Sequence, residues 1–248
     1  MASTVESGHS KNVANLDELV SFALGYGTAY NPSKNSIKPD ALQSLSTNAK
    51  NAITAVNIAL PAYTNAIAAR EVAFVPLSKL VTRIMNALKA TDTTTQVDDS
   101  ARTLVRKIQG TRAVPKKTDD EKKALAAQGK EIIEISASQM GYNSRLENFD
   151  KLIKLLASIP LYAPNEGDLK VEALITFYND LRAKNTAVIA ANAPLSNARI
   201  SRNSILYGVN TGLVDTALDA KAYIKSIYGA KSPQYRQISN LNFTIVRV

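Results

Sequence analysis

Side chains that usually carry catalysis or bind metal ions are scarce in this sequence. Its one histidine, His9, lies in a polar N-terminal segment without periodicity, where a Ser-His-Asp triad is not expected, and a single histidine cannot form an HExxH zinc site. The chain has no cysteine, which excludes thiolate ligands. Carboxylates cluster at residues 98–99, at residues 119–121, and at Glu131 with Glu134. The first two clusters lie where helices are predicted to begin, and negative charge there stabilises the helix dipole. With no glycine-rich phosphate loop either, we expect no enzymatic activity, no catalytic residue, no cofactor and no metal site.

Basic side chains offer another kind of chemistry, which is binding to a polyanion. The formal net charge is +9, and basic residues are concentrated between Arg102 and Lys130. A nucleic-acid-binding interpretation uses two predicted helix faces with four-residue spacing and their neighbours: Arg102, Arg106, Lys107, Arg112, Lys116, Lys117, Lys221 and Lys225. The alternative interpretation is an ordinary solvated helix face, since no nucleic-acid-binding motif accompanies these residues.

The C-terminal segment, residues 237–248, is apolar and has no second strand to pair with in the sequence. Its apolar side chains alternate with polar or β-prone residues and are Ile238, Leu241, Phe243, Ile245 and Val246. A lone strand is unstable in water. The segment therefore either docks on its own chain as irregular coil or forms an oligomer contact with a neighbouring molecule.

Helical periodicity dominates the elements that must position these residues. Apolar residues between Leu42 and Leu60 recur at three- and four-residue spacing, and Pro61 and Pro76 interrupt the pattern. We therefore predict an all-α fold, an elongated antiparallel helical bundle with long proline-kinked helices.

Local signals predict where several helices begin and end. Asn15 followed by Glu18 has the spacing of a capping box, which predicts that the first helix begins there and that residues 1–13 form a flexible tail. Thr118 with Glu121 predicts the start of a later helix, and Gly110 is placed for a left-handed cap.

A long internal repeat organises the chain. Residues 15–20 (NLDELV) correspond to residues 148–153 (NFDKLI), residues 54–56 (TAV) recur at 186–188, and residues 101–110 match residues 220–229. These matches predict an internally duplicated, pseudo-twofold molecule. Its segments are repeat 1 at 14–115, a bridging basic helix at 116–147, repeat 2 at 148–236, and the tail. The duplication either enlarges a shared core or creates two equivalent binding surfaces.

Membrane insertion is a minor alternative. The longest apolar stretches, residues 52–60 and 187–193, are interrupted by asparagines and are predicted to be buried helices. Residues 1–13 lack the apolar centre of a secretion signal, so we expect a cytoplasmic protein, with leaderless export also compatible. Polar residues between 52 and 73 would be costly in hydrocarbon.

Several stretches of the second half resemble a group of uncharacterised all-helical bacterial proteins of about this length. They include residues 135–139 (ISASQ), 162–166 (YAPNE), 195–200 (LSNARI), 210–215 (NTGLVD) and 232–237 (SPQYRQ). The resemblance implies a helical fold and a bacterial source, and it brings no known activity.

Together these observations favour a non-enzymatic structural or interaction protein. We expect it to self-assemble into an oligomer or a filament through its helix faces and the C-terminal tail. A nucleic-acid-associated protein that uses the basic segment from Arg102 to Lys130, and a membrane-active helical protein, are the alternatives.

Overall fold

The computed structural model describes residues 4–112, 118–128 and 140–246. Within these residues the regular structure is helical and contains no β-strand, as the sequence predicts. The helices are α1 (Thr4–Gly25), α2 (Pro39–Phe74), α3 (Leu77–Lys89), α4 (Thr95–Gln109), α5 (Asp119–Ala127), α6 (Tyr142–Ala157), α7 (Val171–Tyr207), α8 (Leu213–Tyr228) and α9 (Pro233–Ser239). Short 3-10 turns lie at Gly27–Ala29, Asn35–Ile37 and Gly167–Leu169.

Several helix boundaries follow from local sequence chemistry. Pro39 is the first residue of α2, where its missing N–H costs no hydrogen bond, and Pro76 separates α2 from α3. Gly110 ends α4 with a φ of 69°, in the left-handed region where glycine carries no steric penalty. Thr118 and Glu121 form the predicted capping box at the start of α5. Pro61 and Pro194 lie inside α2 and α7, which are each assigned as one continuous helix.

The chain divides into two compact units. The first combines residues 1–64 with residues 191–248, and the second consists of residues 65–190. The unit boundaries fall within α2 and α7, so each long helix contributes one part to each unit. Each unit therefore contains segments from both halves of the chain.

The first unit has an apolar core formed by α1, the first part of α2, the last part of α7, α8, α9 and the tail. Its fully buried members include Leu16, Leu19, Leu42, Leu206, Leu213 and Ile224. Burial of this many aliphatic side chains, each worth about 1.5–3 kcal/mol, supplies the main driving force for folding of the unit. The hydroxyl of Tyr30 donates to the carbonyl of Ile37 at 2.7 Å and closes the segment between α1 and α2.

The second unit has its own apolar core, formed by the last part of α2, α3, α4, α6 and the first part of α7. Its fully buried members include Leu77, Ile84, Leu88, Ile108, Phe149, Leu152 and Leu174. The guanidinium of Arg70 lies 3.8 Å from the centre of the Tyr142 ring and donates to the Asn185 side chain at 3.2 Å. A cation on an aromatic face gains electrostatic attraction, which offsets part of the cost of its burial.

The start of α1 differs from the prediction. The helix begins at Thr4 and not at Asn15, so most of the predicted flexible tail is helical. His9, Asn12 and Val13 are buried in the first unit, where His9 Nδ1 lies 2.6 Å from the hydroxyl of Tyr207. The Asn15–Glu18 spacing therefore occurs inside a helix, because packing of the preceding three turns outweighed a local capping signal.

Candidate interaction surface

The middle of α2 is a helix without charge. From Asn51 to Ala69 the sequence contains no Asp, Glu, Lys, Arg or His. A helix on the surface of a soluble protein normally carries charged residues on its solvent face. The missing charge marks this segment of α2 as a candidate interaction surface.

The structure leaves most of this segment exposed. Leu42, Ala49, Ala52 and Val56 bury the first part of α2, and the next buried residue on the helix is Phe74. Between residues 57 and 73 no side chain is buried, and Ile58 and Val72 are 73% and 71% exposed. The prediction that residues 52–60 form a buried helix is therefore correct for only part of the stretch. Residues 187–193 in α7 are likewise mostly exposed.

Six exposed positions form one line along α2, which we call the α2 seam. They alternate at spacings of three and four residues and are Ala55, Ile58, Ala62, Asn65, Ala69 and Val72. This alternation is the pattern that places residues at the interface of a coiled coil. Because five of the six are apolar, the α2 seam presents a contiguous apolar strip to solvent.

Hydropathy also marks this region. Within the described chain, the range Pro39–Lys89, which comprises α2 and α3, is long and apolar enough to cross a membrane when judged by length and composition alone. Its most apolar 18-residue window has a mean hydropathy of 1.3, and 11% of that window is buried. The window therefore differs from a core helix, which reaches a similar hydropathy while being mostly buried.

The tail residues that we predicted as an oligomer contact lie largely within the first unit. Ile238, Leu241 and Phe243 are buried, whereas Ile245 is 62% exposed. The side-chain amide of Asn12 in α1 binds the backbone of the tail: its Oδ1 accepts from Thr244 N at 3.1 Å and its Nδ2 donates to Thr244 O at 2.7 Å. The irregular docked coil is thus the conformation in this structure.

Gly8 and Lys221 also help to hold the tail in place. A Cβ atom at Gly8 would lie 2.9 Å from Val246 Cγ2, so glycine permits the close approach of tail and helix. Lys221 Nζ donates to the carbonyls of Ser239 at 3.1 Å and Leu241 at 2.7 Å, and burial lowers the pKa of this lysine.

The predicted nucleic-acid-binding residues are not all free for phosphate contacts. Arg102, Arg106 and Lys107 lie on α4 in the second unit, where Arg102 pairs with Asp99 at 2.5 Å. Lys221 and Lys225 lie on α8 in the first unit, and Lys225 Nζ is 5.7 Å from the centre of the Tyr235 ring. Arg112 is exposed beyond α4. Lys116 and Lys117 lie outside the described residues.

A cleft of about 530 Å³ lies in the second unit and is lined by both polar and apolar side chains. Arg83 at its wall pairs with Asp168, and the Tyr162 hydroxyl donates to the carbonyl of Leu169 at 3.0 Å. These polar groups hold the local fold together. Among the described residues no group of three or more His, Asp or Glu side chains is placed to hold a metal ion.

The sequence did not reveal the α2 seam or the buried residues of α1. Alanine, asparagine and threonine dominate the middle of α2, and they are compatible with either burial or exposure, so periodicity alone could not identify the solvent side. The missing charge between Lys50 and Arg70 was the one available signal. No family model, no curated protein and no solved structure matches this chain.

Proposed function

We propose that this protein acts by self-association through the exposed middle of α2. The observation that carries the proposal is the combination of exposure and missing charge along the α2 seam, where Ile58 and Val72 present large apolar side chains to water. Burying each of these side chains would contribute about 1.5–3 kcal/mol per copy. Most apolar side chains of the tail are already buried within the first unit, so a helix face is better suited than the tail to form the contact between copies.

The proposal is tested by analytical ultracentrifugation of the wild-type protein and an Ile58→Asp, Val72→Asp variant across a range of concentrations. The wild type is expected to form a larger species as concentration rises. The variant is expected to associate at least about a hundredfold more weakly, since it loses apolar burial and adds charge to the interface. Because both positions are exposed, helicity by circular dichroism should not change.

A matched control places the same charges on other exposed apolar residues. Ile200 in α7 and Val209 in the following turn are 65% and 80% exposed, and neither belongs to the α2 seam. An Ile200→Asp, Val209→Asp variant should therefore associate like the wild type. A wild type that stays monomeric at high concentration, or a control as impaired as the test variant, would overturn the proposal.

Membrane binding is the second candidate, favoured by the largely exposed apolar window in Pro39–Lys89. An exposed apolar helix can enter the interface of a lipid bilayer through one face. Flotation of the protein with neutral phosphatidylcholine vesicles tests this candidate. Loss of flotation in the Ile58→Asp, Val72→Asp variant would support it, and absence of flotation by the wild type would refute it.

Association with nucleic acid remains a proposal supported by the net charge of +9 and by the exposed Arg112 and Lys107. Binding that depends on phosphate contacts weakens steeply with salt because counterions are released. Titration with a short DNA duplex at 50 and 200 mM salt tests it. Absent binding at the lower salt concentration would refute it.

We also propose that the two halves of the chain descend from one duplicated helical sequence. Tyr30 and Tyr162, which match in the repeat, make corresponding hydrogen bonds to Ile37 and Leu169. Buried residues of α1 match buried residues of α6 in one register: Val13 with Leu146, Leu16 with Phe149, Leu19 with Leu152, Val20 with Ile153, and Ala23 with Leu156. Repeated hydrogen bonds and repeated burial at matched positions support a common origin.

For the later helices, the pattern of buried residues supports matching α3 with α8, which differs from the match found in the sequence. Four buried residues of α3 correspond to four of α8: Leu77 with Leu213, Val81 with Ala217, Ile84 with Ala220, and Leu88 with Ile224. In this register Arg83, paired with Asp168, corresponds to Asp219, paired with Lys34. The earlier match of residues 101–110 to residues 220–229 would instead set α4 against the end of α8. The elongated pseudo-twofold bundle itself stays a prediction.

A further inference from the structure

We infer that the α2 seam pairs with the α2 seam of a second copy in an antiparallel, two-fold symmetric coiled coil. This inference rests on the proposed self-association and adds its partner, direction and register. Three positions at seven-residue intervals are alanines, namely Ala55, Ala62 and Ala69. The alternating positions carry Ile58, Asn65 and Val72.

Antiparallel pairing about a point between Tyr63 and Thr64 matches small residues with larger ones. In that register Ile58 faces Ala69 of the second copy, Val72 faces Ala55, and Asn65 faces Ala62. Antiparallel coiled coils form their layers from such pairs of the two alternating positions. An alanine opposite each larger side chain lets the backbones approach closely while the layer stays filled.

Parallel pairing would lack this complementarity. It would place alanine against alanine in three layers and would put Ile58, Asn65 and Val72 each against their own kind. The alanine layers would leave unfilled space beside the bulkier ones, and cavities are costly in packed interfaces. The sequence of the α2 seam therefore favours the antiparallel arrangement.

Asn65 explains why one register would be selected. A single polar residue in an otherwise apolar coiled-coil interface costs stability and favours the register that satisfies its hydrogen bonds. In the inferred arrangement the two Asn65 side chains lie close to the two-fold axis, where each can bond to the other copy. Because a two-fold contact uses the same surface on both molecules, it closes as a dimer, and growth into a filament would need a second interface.

The lack of cysteine in the chain allows a direct test by disulfide cross-linking. An Ile58→Cys protein is mixed with an Ala69→Cys protein under mild oxidation, and each is also oxidised alone. The inference expects a heterodimeric disulfide in the mixture. It expects little from Ile58→Cys alone, because the two copies of position 58 would be about 16 Å apart along the helix axis, well beyond the reach of a disulfide. Cysteine at Asn57, exposed on α2 but off the seam, serves as the control in both formats.

The outcomes separate this inference from the proposed function. Cross-linking of Ile58→Cys with itself, and not with Ala69→Cys, in a protein that still associates would overturn the antiparallel register and leave self-association standing. Cross-linking equal to the Asn57→Cys control would exclude the α2 seam as the contact. A monomer in ultracentrifugation would overturn both. An Asn65→Leu variant should associate more tightly, and its 58–69 cross-link should become less selective, because only the match of small with larger residues then fixes the register.

Discussion

Two tyrosines show how single buried hydroxyls hold the segments between helices. Tyr162 donates to Leu169 in the second unit, and burial raises the pKa of Tyr162 to about 12. Tyr30 makes the corresponding bond to Ile37 in the first unit, and burial raises its pKa as well. Desolvation is the main cause in both cases, since it disfavours the ionised phenolate.

The Tyr162→Phe variant should lose stability at neutral pH and part of its sensitivity to alkali. It leaves the carbonyl of Leu169 without its partner, at a cost of about 1–2 kcal/mol. Below pH 10 the tyrosine is protonated in both folded and unfolded states, so it contributes no pH dependence. Between pH 10 and about 12 only the unfolded tyrosine ionises, so stability falls as pH rises. Urea unfolding at pH 8 and pH 11 measures both effects.

The control for this prediction is Tyr63→Phe, at a partly exposed position in α2. It should not alter the free energy of unfolding at pH 8 by a comparable amount. Identical alkaline decreases in the wild type and Tyr162→Phe would contradict the assigned role.

Lys221 was predicted to contact phosphate, and the structure places it as the anchor of the tail. Its ammonium bonds to two backbone carbonyls at the end of α9, and hydrogen bonds from a charged donor are worth about 1.5–3 kcal/mol. A Lys221→Met variant should therefore be destabilised by that order and should exchange the amide hydrogens of residues 241–246 faster. Lys231→Met, at an exposed position, is the control. Unchanged exchange in Lys221→Met would show that apolar contacts alone hold the tail.

At the scale of helices, α1 shows where sequence reasoning succeeds and where it fails. The helical spacing of its apolar residues predicts a helix face formed by Leu16, Leu19, Val20, Ala23 and Leu24; the first four are buried, whereas Leu24 is 46% exposed. The three turns before them were predicted to be a tail because polar residues such as Ser, Thr, Glu, His and Lys dominate there and no apolar stretch occurs. Tertiary packing against Tyr207 and residues 242–246 decides the conformation, and no local pattern reports those partners.

Removing residues 1–13 should consequently be costly. A disordered tail could be deleted without loss, whereas this deletion removes the buried Val13, His9 and Asn12 and the hydrogen bonds to Thr244. We expect a loss of at least about 3 kcal/mol, from apolar burial and two hydrogen bonds together. Thermal unfolding of the deletion variant measures it, with the exposed Lys11→Ala as a control in the same helix. An unchanged midpoint would mean that α1 is not required before Asn15.

At the scale of the whole molecule, composition and periodicity predicted an all-α fold, and the helical structure confirms it. They could not predict that each compact unit would combine segments from both halves of the chain, because contacts between distant segments leave no trace in local periodicity. In the first unit the hydroxyl of Tyr26, which directly follows α1, donates to the carbonyl of Gln234 in α9 at 2.9 Å. The second joins Arg83 of α3 to Asp168.

Because each unit contains segments from both halves of the chain, we expect the halves to stay together after the chain is cut between them. A protease site introduced at residues 113–117 would separate α1 to α4 from α5 to α9. The core of each unit contains side chains from both fragments, as with Leu16 and Leu213 in the first unit and Ile108 and Phe149 in the second. Dissociation would expose both cores to water, so the cleaved protein should co-elute as one species in size-exclusion chromatography without denaturant.

The cut protein should separate only in denaturant, and equimolar fragments should regain helical circular dichroism when the denaturant is diluted. Units made from separate halves would behave differently, since each fragment would then fold alone and the two would elute apart. Separation without denaturant would therefore contradict the division of the chain into units that mix both halves. Charged substitutions on the α2 seam should leave co-elution unchanged, because Ile58 and Val72 face solvent and do not belong to either core.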